Sequence, residues 1–107
     1  YYVPTDNAVV SALEGLIQTA DKKKIPVIAA DGDSVKRGAT ATYGINYEKL
    51  GEQTAAMTVK VLKGEAEPAS LPVETISKVD LYLNEKAAKN SGIEFSEDMK
   101  SKAVEVY

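Results

Sequence analysis

Polar side chains concentrate in three short segments, each of which directly follows a run of apolar residues. The first contains Thr5, Asp6 and Asn7, the second covers residues 31–34, and the third covers residues 42–46. Their carboxylates, hydroxyls and amides can pair with the ammonium, hydroxyl or carboxylate groups of a small polar molecule. The chemistry that these residue types favour is therefore recognition of a ligand through hydrogen bonds and charge.

The composition argues against catalysis. The chain contains no cysteine and no histidine, which removes thiol nucleophiles, Ser-His-Asp triads and the usual zinc ligand sets. It also lacks a glycine-rich phosphate loop and a nucleophile elbow. Asp31 and Asp33 are of the type that binds hard cations, but the rest of a calcium loop is missing. We predict a binding protein that is not an enzyme and needs neither cofactor nor metal.

The charge balance restricts the partners. Among 107 residues, 13 are basic and 16 are acidic, and the formal net charge is −3. The charges are interspersed, so there is no basic stripe for nucleic acid and no polybasic anchor for lipid. The length suits one modest core. We therefore expect a small-molecule ligand and no nucleic-acid partner.

Apolar periodicity predicts the elements that must position the polar segments. Residues 1–3, 25–30 and 39–45 have strand character, and a helix with one apolar stripe separates the first two. A longer helix runs from Asn46 to Gly64, with Met57 and the nearby valines as its core side. This alternation predicts an α/β fold, a three-layer parallel sheet with helices on both faces. The continuous run 25–30 predicts a strand that is covered on both sides.

The rest of the chain predicts smaller elements. Two extended pieces are expected at residues 71–76 and 79–83. Asn84 is a suitable cap for a short helix over residues 85–90, and Ser96 is suited to begin a last helix toward Tyr107.

Ligands of parallel α/β sheets bind beyond the carboxyl ends of the strands, where loops enter helix N-termini. All three polar segments fall at such positions. Simpler interpretations remain open: Asp6 or Asn7 as a helix cap, the Asp31-Gly32 pair as a turn, and Asp33 with Ser34 as a second cap. For Tyr43 and Tyr47 we favour packing over stacking on a ligand.

Several segments together resemble a known family. They are residues 2–7 (YVPTDN), 25–27 (IPV), 31 and 33–39 (D and DSVKRGA), 46–47 (NY) and 50–51 (LG). In this order they resemble the C-terminal part of ABC-transporter substrate-binding proteins, in particular those linked to tryptophan or tyrosine uptake. The similarity to ribose-binding proteins and to repressor effector domains is more distant. The resemblance implies one lobe of a type I periplasmic-binding-protein fold.

The resemblance also implies an organisation and a site. Residues 1–78 would form ligand-binding lobe two, and residues 79–107 would be the hinge return and C-terminal helices that belong to lobe one. Asp6 is the first choice for a ligand contact. The full set of implied ligand-binding residues is Thr5, Asp6, Asn7, Asp31, Asp33, Ser34, Gly38 and Ala39.

The function that follows from the resemblance is that of an extracytoplasmic solute-binding component, which delivers a small polar ligand to an ABC-transporter permease. An amino acid is expected, and the family suggests an aromatic one. The alternative is the effector-binding domain of a transcription regulator. A periplasmic or cell-surface lipoprotein is implied, held to the membrane only through a lipid anchor on a missing N-terminus. Because the chain starts with Tyr1-Tyr2-Val3, we expect a processed chain or a fragment, with possible self-association through uncovered apolar surface.

Overall fold

Five short strands form one sheet in the computed structural model, which describes residues 1–107. They are β1 (Tyr2–Val3), β2 (Ile28–Ala29), β3 (Ala41–Gly44), β4 (Asp80–Leu83) and β5 (Glu105–Val106), and they lie in this order across the sheet. Three of the pairings are parallel, whereas β3 and β4 are antiparallel. The predicted α/β class is confirmed, with a mostly parallel sheet flanked by helices.

Six helices accompany the strands. They are α1 (Asn7–Ser11), α2 (Leu13–Lys23), α3 (Gly32–Lys36), α4 (Tyr47–Leu62), α5 (Glu85–Asn90) and α6 (Glu97–Lys102). The caps predicted at Asn84 and Ser96 are confirmed, since their side chains accept hydrogen bonds from backbone N–H groups of α5 and α6. Asn46, where the longer helix is predicted to begin, caps α4 in the same way. The final helix stops at Lys102 instead of reaching Tyr107, since the chain then pairs with β4 as β5. None of the helices combines the length and the apolar character needed to cross a membrane.

The hydrophobic core lies between one face of the sheet and the helices α1, α2 and α3. Alternate residues of a strand point to the same face, so Val3 and Ala29, which are register partners, both enter this core. The fully enclosed members are Val3, Leu13, Ala20, Val27, Ala29, Val35 and Ala39. Burial of these apolar side chains is the main favourable term for this half of the molecule.

The opposite face of β1 to β3 is open. Tyr2 and Ile28 are register partners on that face and are 69% and 41% exposed, and Tyr43 of β3 is 66% exposed. The expectation that residues 25–30 are covered on both faces is therefore wrong. The run is apolar, but its inward and outward residues alternate in burial.

Helix α4 extends away from the sheet. None of its residues is buried, and Leu62 at its end is 80% exposed. The interpretation of Met57 and the nearby valines as core is therefore wrong. The radius of gyration is 17.3 Å, whereas a compact chain of this length has about 13 Å. The molecule is elongated because of this projecting helix.

The chain between α4 and β4 forms no strand. Residues 71–76, which the sequence predicts to be extended, pair with no strand, and β4 occupies the edge of β3. Pro72 also has no backbone N–H to give to a ladder. This segment is held to α4 instead, because Gln53 donates hydrogen bonds to Glu74 and to the Thr75 carbonyl oxygen.

Candidate functional site

Two adjoining cavities open at the carboxyl ends of β1, β2 and β3, and we call them together the cleft. One has a volume of about 240 Å³ and is lined by Thr5, Asn7, Val10, Asp31, Asp33, Arg37 and Tyr47. The other has a volume of about 190 Å³ and is lined by Asp31, Gly32, Asp33, Ile45, Asn46, Tyr47, Tyr82 and Tyr107. Three residues are common to both: Asp31, Asp33 and Tyr47. The three polar segments of the sequence thus meet at one edge of the sheet.

Larger hollows occur elsewhere, but none is lined by a residue of the three polar segments. One of about 350 Å³ lies against α5 and α6. Its Lys100 is already bonded to both Glu85 and Glu97, and these carboxylates raise the pKa of Lys100. We therefore place the candidate site in the cleft.

The first loop is organised by Asp6. Its Oδ1 accepts hydrogen bonds from the N–H groups of Ala8 and Val9, at 2.9 and 3.0 Å. The side chain thus caps α1, and it does not line the cleft, whereas its neighbours Thr5 and Asn7 do. Asp6 therefore has the geometry of a helix cap, and the cleft is lined by the residues on either side of it, Thr5 and Asn7.

The second loop is rigid around Asp31. One of its carboxylate oxygens accepts from the Ser34 N–H at 2.8 Å, and the other accepts from the Ser34 hydroxyl at 2.9 Å. Ser34 itself is fully buried and does not line the cleft. A side chain at Gly32 would collide with the Tyr82 ring, since an added Cβ would lie 2.8 Å from it. The loop therefore presents Asp33 as its exposed carboxylate.

Arg37 forms a wall of the cleft. Its Nε and Nη2 donate to the two carboxylate oxygens of Glu14 at 2.8 and 3.0 Å, and Nη2 also donates to the Val10 carbonyl at 2.9 Å. These contacts join the end of α3 to α1 and α2. The backbone N–H at Glu14 and the Arg37 guanidinium lower the pKa of the Glu14 carboxyl, so this anchor is charged at neutral pH.

The third segment is tied to β4. Asn46 donates to Asp80 at 3.0 Å, and the Lys49 ammonium donates to both oxygens of Asp80 at 2.8 and 2.9 Å. The hydrogen bond from Lys49, followed by that from Asn46, lowers the pKa of Asp80. The same contact raises the pKa of Lys49. This network fixes the start of α4 beside the cleft.

Gly38 and Ala39 are not brought to the cleft. Ala39 is buried in the core, and the following residue, Thr40, pairs with Val27 before β2 begins. Gly38 has φ of +125° and lies against Ile17. Both residues are therefore at the amino-terminal end of β3, opposite the cleft, and neither of them lines it. Gly38 serves the turn out of α3, because a positive φ favours glycine.

Tyr47, Tyr82 and Tyr107 line the cleft, whereas Tyr43 does not. Tyr43 faces solvent on the open side of the sheet, while Tyr47 is exposed and lines both parts of the cleft. Neither is packed in the core, so the packing interpretation is wrong for both. Tyr82 and Tyr107 also line the cleft. Burial raises the pKa of Tyr82, and burial together with a hydrogen bond to Glu105 raises the pKa of Tyr107 to about 12. Both phenols are therefore neutral hydrogen-bonding groups at pH 7.

Three charged or aromatic lining residues, Arg37, Tyr82 and Tyr107, are not among the residues that the sequence analysis considers for ligand contact. Arg37 carries a local signal, since it lies four residues after Asp33 and therefore on the same side of a short helix. Tyr82 and Tyr107 carry none, because only the pairing of β4 and β5 onto the sheet brings them near residues 31–33.

Comparison with known proteins identifies the family. The model of the ABC transporter substrate binding protein family matches residues 1–107. The chain belongs to this family. A tyrosine-binding protein of Clostridioides difficile is 40% identical over 88 residues, which are 82% of this chain and 25% of that protein. An uncharacterized protein of Rickettsia prowazekii is 32% identical over 87 residues, 81% of this chain and 28% of that protein.

Solved structures agree in fold. A crystal structure of a conserved domain protein from Vibrio cholerae superposes with a TM-score of 0.83 at 39% identity, covering 99% of this chain and 36% of that chain. An ABC domain in complex with L-Trp from Streptococcus pneumonia gives 0.82 at 32% identity, with the same coverage. The family consists of substrate-binding proteins and not of enzymes, which confirms the prediction of binding over catalysis. The chain spans between a quarter and about a third of the length of these relatives.

Proposed function

We propose that this chain forms one wall of the ligand site in the extracytoplasmic solute-binding component of an ABC importer, and that its ligand is an amino acid. The observation that carries the proposal is the cleft, where free polar groups and an exposed aromatic ring meet at the carboxyl edge of the sheet. The relatives support the ligand class, since one is named a tyrosine-binding protein and another was solved with L-Trp.

The proposed ligand contacts are Thr5, Asn7, Asp31 and Asp33, with Tyr47 against the ligand side chain. In this arrangement Asp6 and Ser34 hold the loops, because the carboxylate of Asp6 caps α1 and the Ser34 hydroxyl bonds Asp31. The exposed ring of Tyr47 offers apolar area and a π face. An aromatic amino acid is therefore the first candidate.

The division of labour in the whole protein is also a proposal. Residues 1–78 would be lobe two, and the hinge return into lobe one would lie within residues 79–107, whose strands β4 and β5 join the same sheet. Closure of two lobes would enclose the ligand and present a docking surface to the permease. A periplasmic or cell-surface location with a lipid anchor would follow from that role.

The open face of β1 to β3 bears on how the 107 residues behave in isolation. Tyr2, Ile28 and Tyr43 leave apolar side chains uncovered there. Exposed apolar surface of this kind favours association. We therefore expect these residues to self-associate when produced alone, and binding is best tested on the complete gene product.

A thermal-shift screen of the complete gene product with the twenty amino acids tests the proposal. At a ligand concentration of one hundred times Kd, binding stabilises the folded state by about 2.7 kcal/mol. We expect an aromatic amino acid to raise the melting temperature most. If no amino acid raises it beyond scatter, the proposed function is wrong.

Asp6 provides a control for this screen. Asparagine caps helices as well as aspartate does, so Asp6→Asn keeps the cap and removes the charge. With Asp6 acting as a cap, the ligand-induced shift should persist. Loss of the shift, with an unchanged melting temperature of the free protein, would show that the Asp6 carboxylate contacts the ligand.

A further inference from the structure

The charged groups of the cleft differ in how far the chain itself satisfies them. Both carboxylate oxygens of Asp31 accept hydrogen bonds from Ser34. The carboxylate of Asp33, by contrast, is exposed and takes part in no side-chain hydrogen bond or ion pair of the chain. Asp33 is therefore the carboxylate of the cleft that no side chain of the chain engages.

Arg37 is the cation of the cleft, and it is only partly used. A guanidinium has five N–H donors, and the bonds to Glu14 and Val10 engage Nε and Nη2. Nη1 donates to no atom of the chain. The anchoring to Glu14 also removes freedom from the side chain, so that less entropy is lost when Nη1 binds a further acceptor. The guanidinium is thus held in place with one nitrogen free.

The two groups are neighbours on α3. Asp33 and Arg37 are four residues apart, and the backbone of Arg37 still has helical dihedrals. Side chains at this spacing have Cβ atoms about 5–6 Å apart. They form no ion pair with each other, because the guanidinium is turned to Glu14. An acceptor of negative charge and a donor of positive charge therefore line the same 240 Å³ cavity side by side.

We propose that Asp33 and Arg37 together recognise the zwitterionic head group of an α-amino acid. The ligand ammonium donates to the Asp33 carboxylate, and the ligand carboxylate accepts from Nη1 of Arg37. Glu14 acts as a positioning residue, because it holds the guanidinium without touching the ligand. This assignment rests on the proposed function and specifies how the same site selects amino acids over amines and over acids.

Three probes that differ in one charged group test the assignment. They are L-tyrosine, tyramine, which lacks the carboxylate, and 3-(4-hydroxyphenyl)propionate, which lacks the ammonium; the tryptophan series is measured in parallel. Titration calorimetry on the complete gene product gives Kd for each. Charge-assisted hydrogen bonds are strong enough that loss of one should weaken binding about tenfold or more.

The Arg37 and Asp33 variants should weaken the binding of different probes. Arg37→Gln should weaken the binding of L-tyrosine and of the propionate about tenfold and leave the Kd of tyramine within about twofold of its wild-type value. Asp33→Asn should weaken the binding of L-tyrosine and of tyramine and leave the Kd of the propionate unchanged. Glu14→Gln keeps the guanidinium and should give a smaller loss for the two carboxylate probes alone. Lys36→Gln, an exposed cation on the same helix that does not line the cleft, should change none of them.

The outcomes separate the two proposals. If no amino acid binds the wild-type protein, the proposed function is wrong and this assignment falls with it. If an amino acid binds but Arg37→Gln weakens all three probes equally, or none, the function stands and the head-group assignment is wrong. Melting temperatures of the free variants show whether a loss comes from unfolding, and Arg37→Lys, which keeps the charge, should recover part of the lost affinity for the two carboxylate probes.

Discussion

Helices α2 and α4 have similar apolar stripes and opposite fates. Helix α2 packs on the sheet and buries Leu13 completely, whereas the longer α4 buries no residue at all. An apolar stripe therefore indicates which side of a helix needs covering, but it carries no information about what covers it. For α2 the cover is the inner face of β1 to β3, and α4 finds no such surface within residues 1–107.

The two regions are also held by different forces. Around α2 the stabilising term is burial of apolar area. At the start of α4 the contacts are polar: the Asn46 cap, the Lys49–Asp80 ion pair and the hydrogen bonds of Gln53. Ion pairs that solvent reaches, as it reaches Lys49, contribute little to stability, so α4 should open more readily than the sheet and its three covering helices.

The largest expected effect is on the free energy of unfolding, and it distinguishes a leucine of α2 from a leucine of α4. Leu13→Ala creates a cavity in the core and should lower the free energy of unfolding by about 2–5 kcal/mol. Leu62→Ala removes a side chain that is 80% exposed and should change it by no more than about 0.5 kcal/mol. Urea unfolding followed by circular dichroism measures both.

The same two variants can also contradict the contrast between a packed α2 and an unpacked α4. A loss of similar size from Leu62→Ala would mean that α4 is packed in solution, against another copy or another part of the protein. In that case the loss should depend on protein concentration if the cover is a second copy. Independence of concentration would point to a cover within the same chain.

How far the sequence predicts this molecule depends on how local each signal is. The caps at Asn46, Asn84 and Ser96 and the bounds of α5 are readable because a cap and its helix lie within a few residues. The convergence of Asn7, Asp31 and Asp33 is readable because consecutive parallel strands end at one edge.

The remaining features depend on distant partners. The open side of Ile28 and the bare face of α4 follow from which surfaces lie opposite, and no residue nearby encodes that. The places of Tyr82 and Tyr107 in the cleft follow from strand pairing over long separations. Asp6 shows a different difficulty, since the same carboxylate suits a cap and a ligand contact, and only the bonds to Ala8 and Val9 decide its geometry.

A second, smaller test compares the asparagine caps of the two regions. Asn84 is buried, accepts from the Ala87 N–H and donates to the Val35 carbonyl, so that it joins α5 to α3. Asn84→Ala should cost about 2–3 kcal/mol, because it removes a cap and leaves a buried carbonyl without its partner. Asn46→Ala, at the partly exposed start of α4, should cost about 1 kcal/mol. Equal losses in urea unfolding would contradict the difference in burial on which the comparison rests.

The smallest expected effect is the pH dependence of the Lys49–Asp80 pair. In the folded state the pKa of Asp80 lies below its ordinary value of 3.8, so its contribution is complete above that value and is lost as the pH falls through the folded pKa. The pKa of Lys49 lies above 10.5, so the contribution of the ammonium is complete below that value and is lost as the pH rises through the folded pKa. Between these limits the pair should stabilise the start of α4 at every pH.

Asp80→Asn isolates this term. Glu14 and Glu85 also have lowered pKa values, so the acid-side loss of stability in the wild-type protein is a sum over several carboxyls. The difference between wild type and Asp80→Asn removes those common terms. Measured by urea unfolding from about pH 5 to about pH 2, that difference should shrink as Asp80 is protonated. Lys49→Gln should also reduce the pH dependence that comes from Asp80, because this substitution removes the largest cause of the low pKa of Asp80. A difference that stays constant over this range would mean that Asp80 is not charged and paired in the folded state, and the polar attachment of α4 would then rest on the cap and on Gln53 alone.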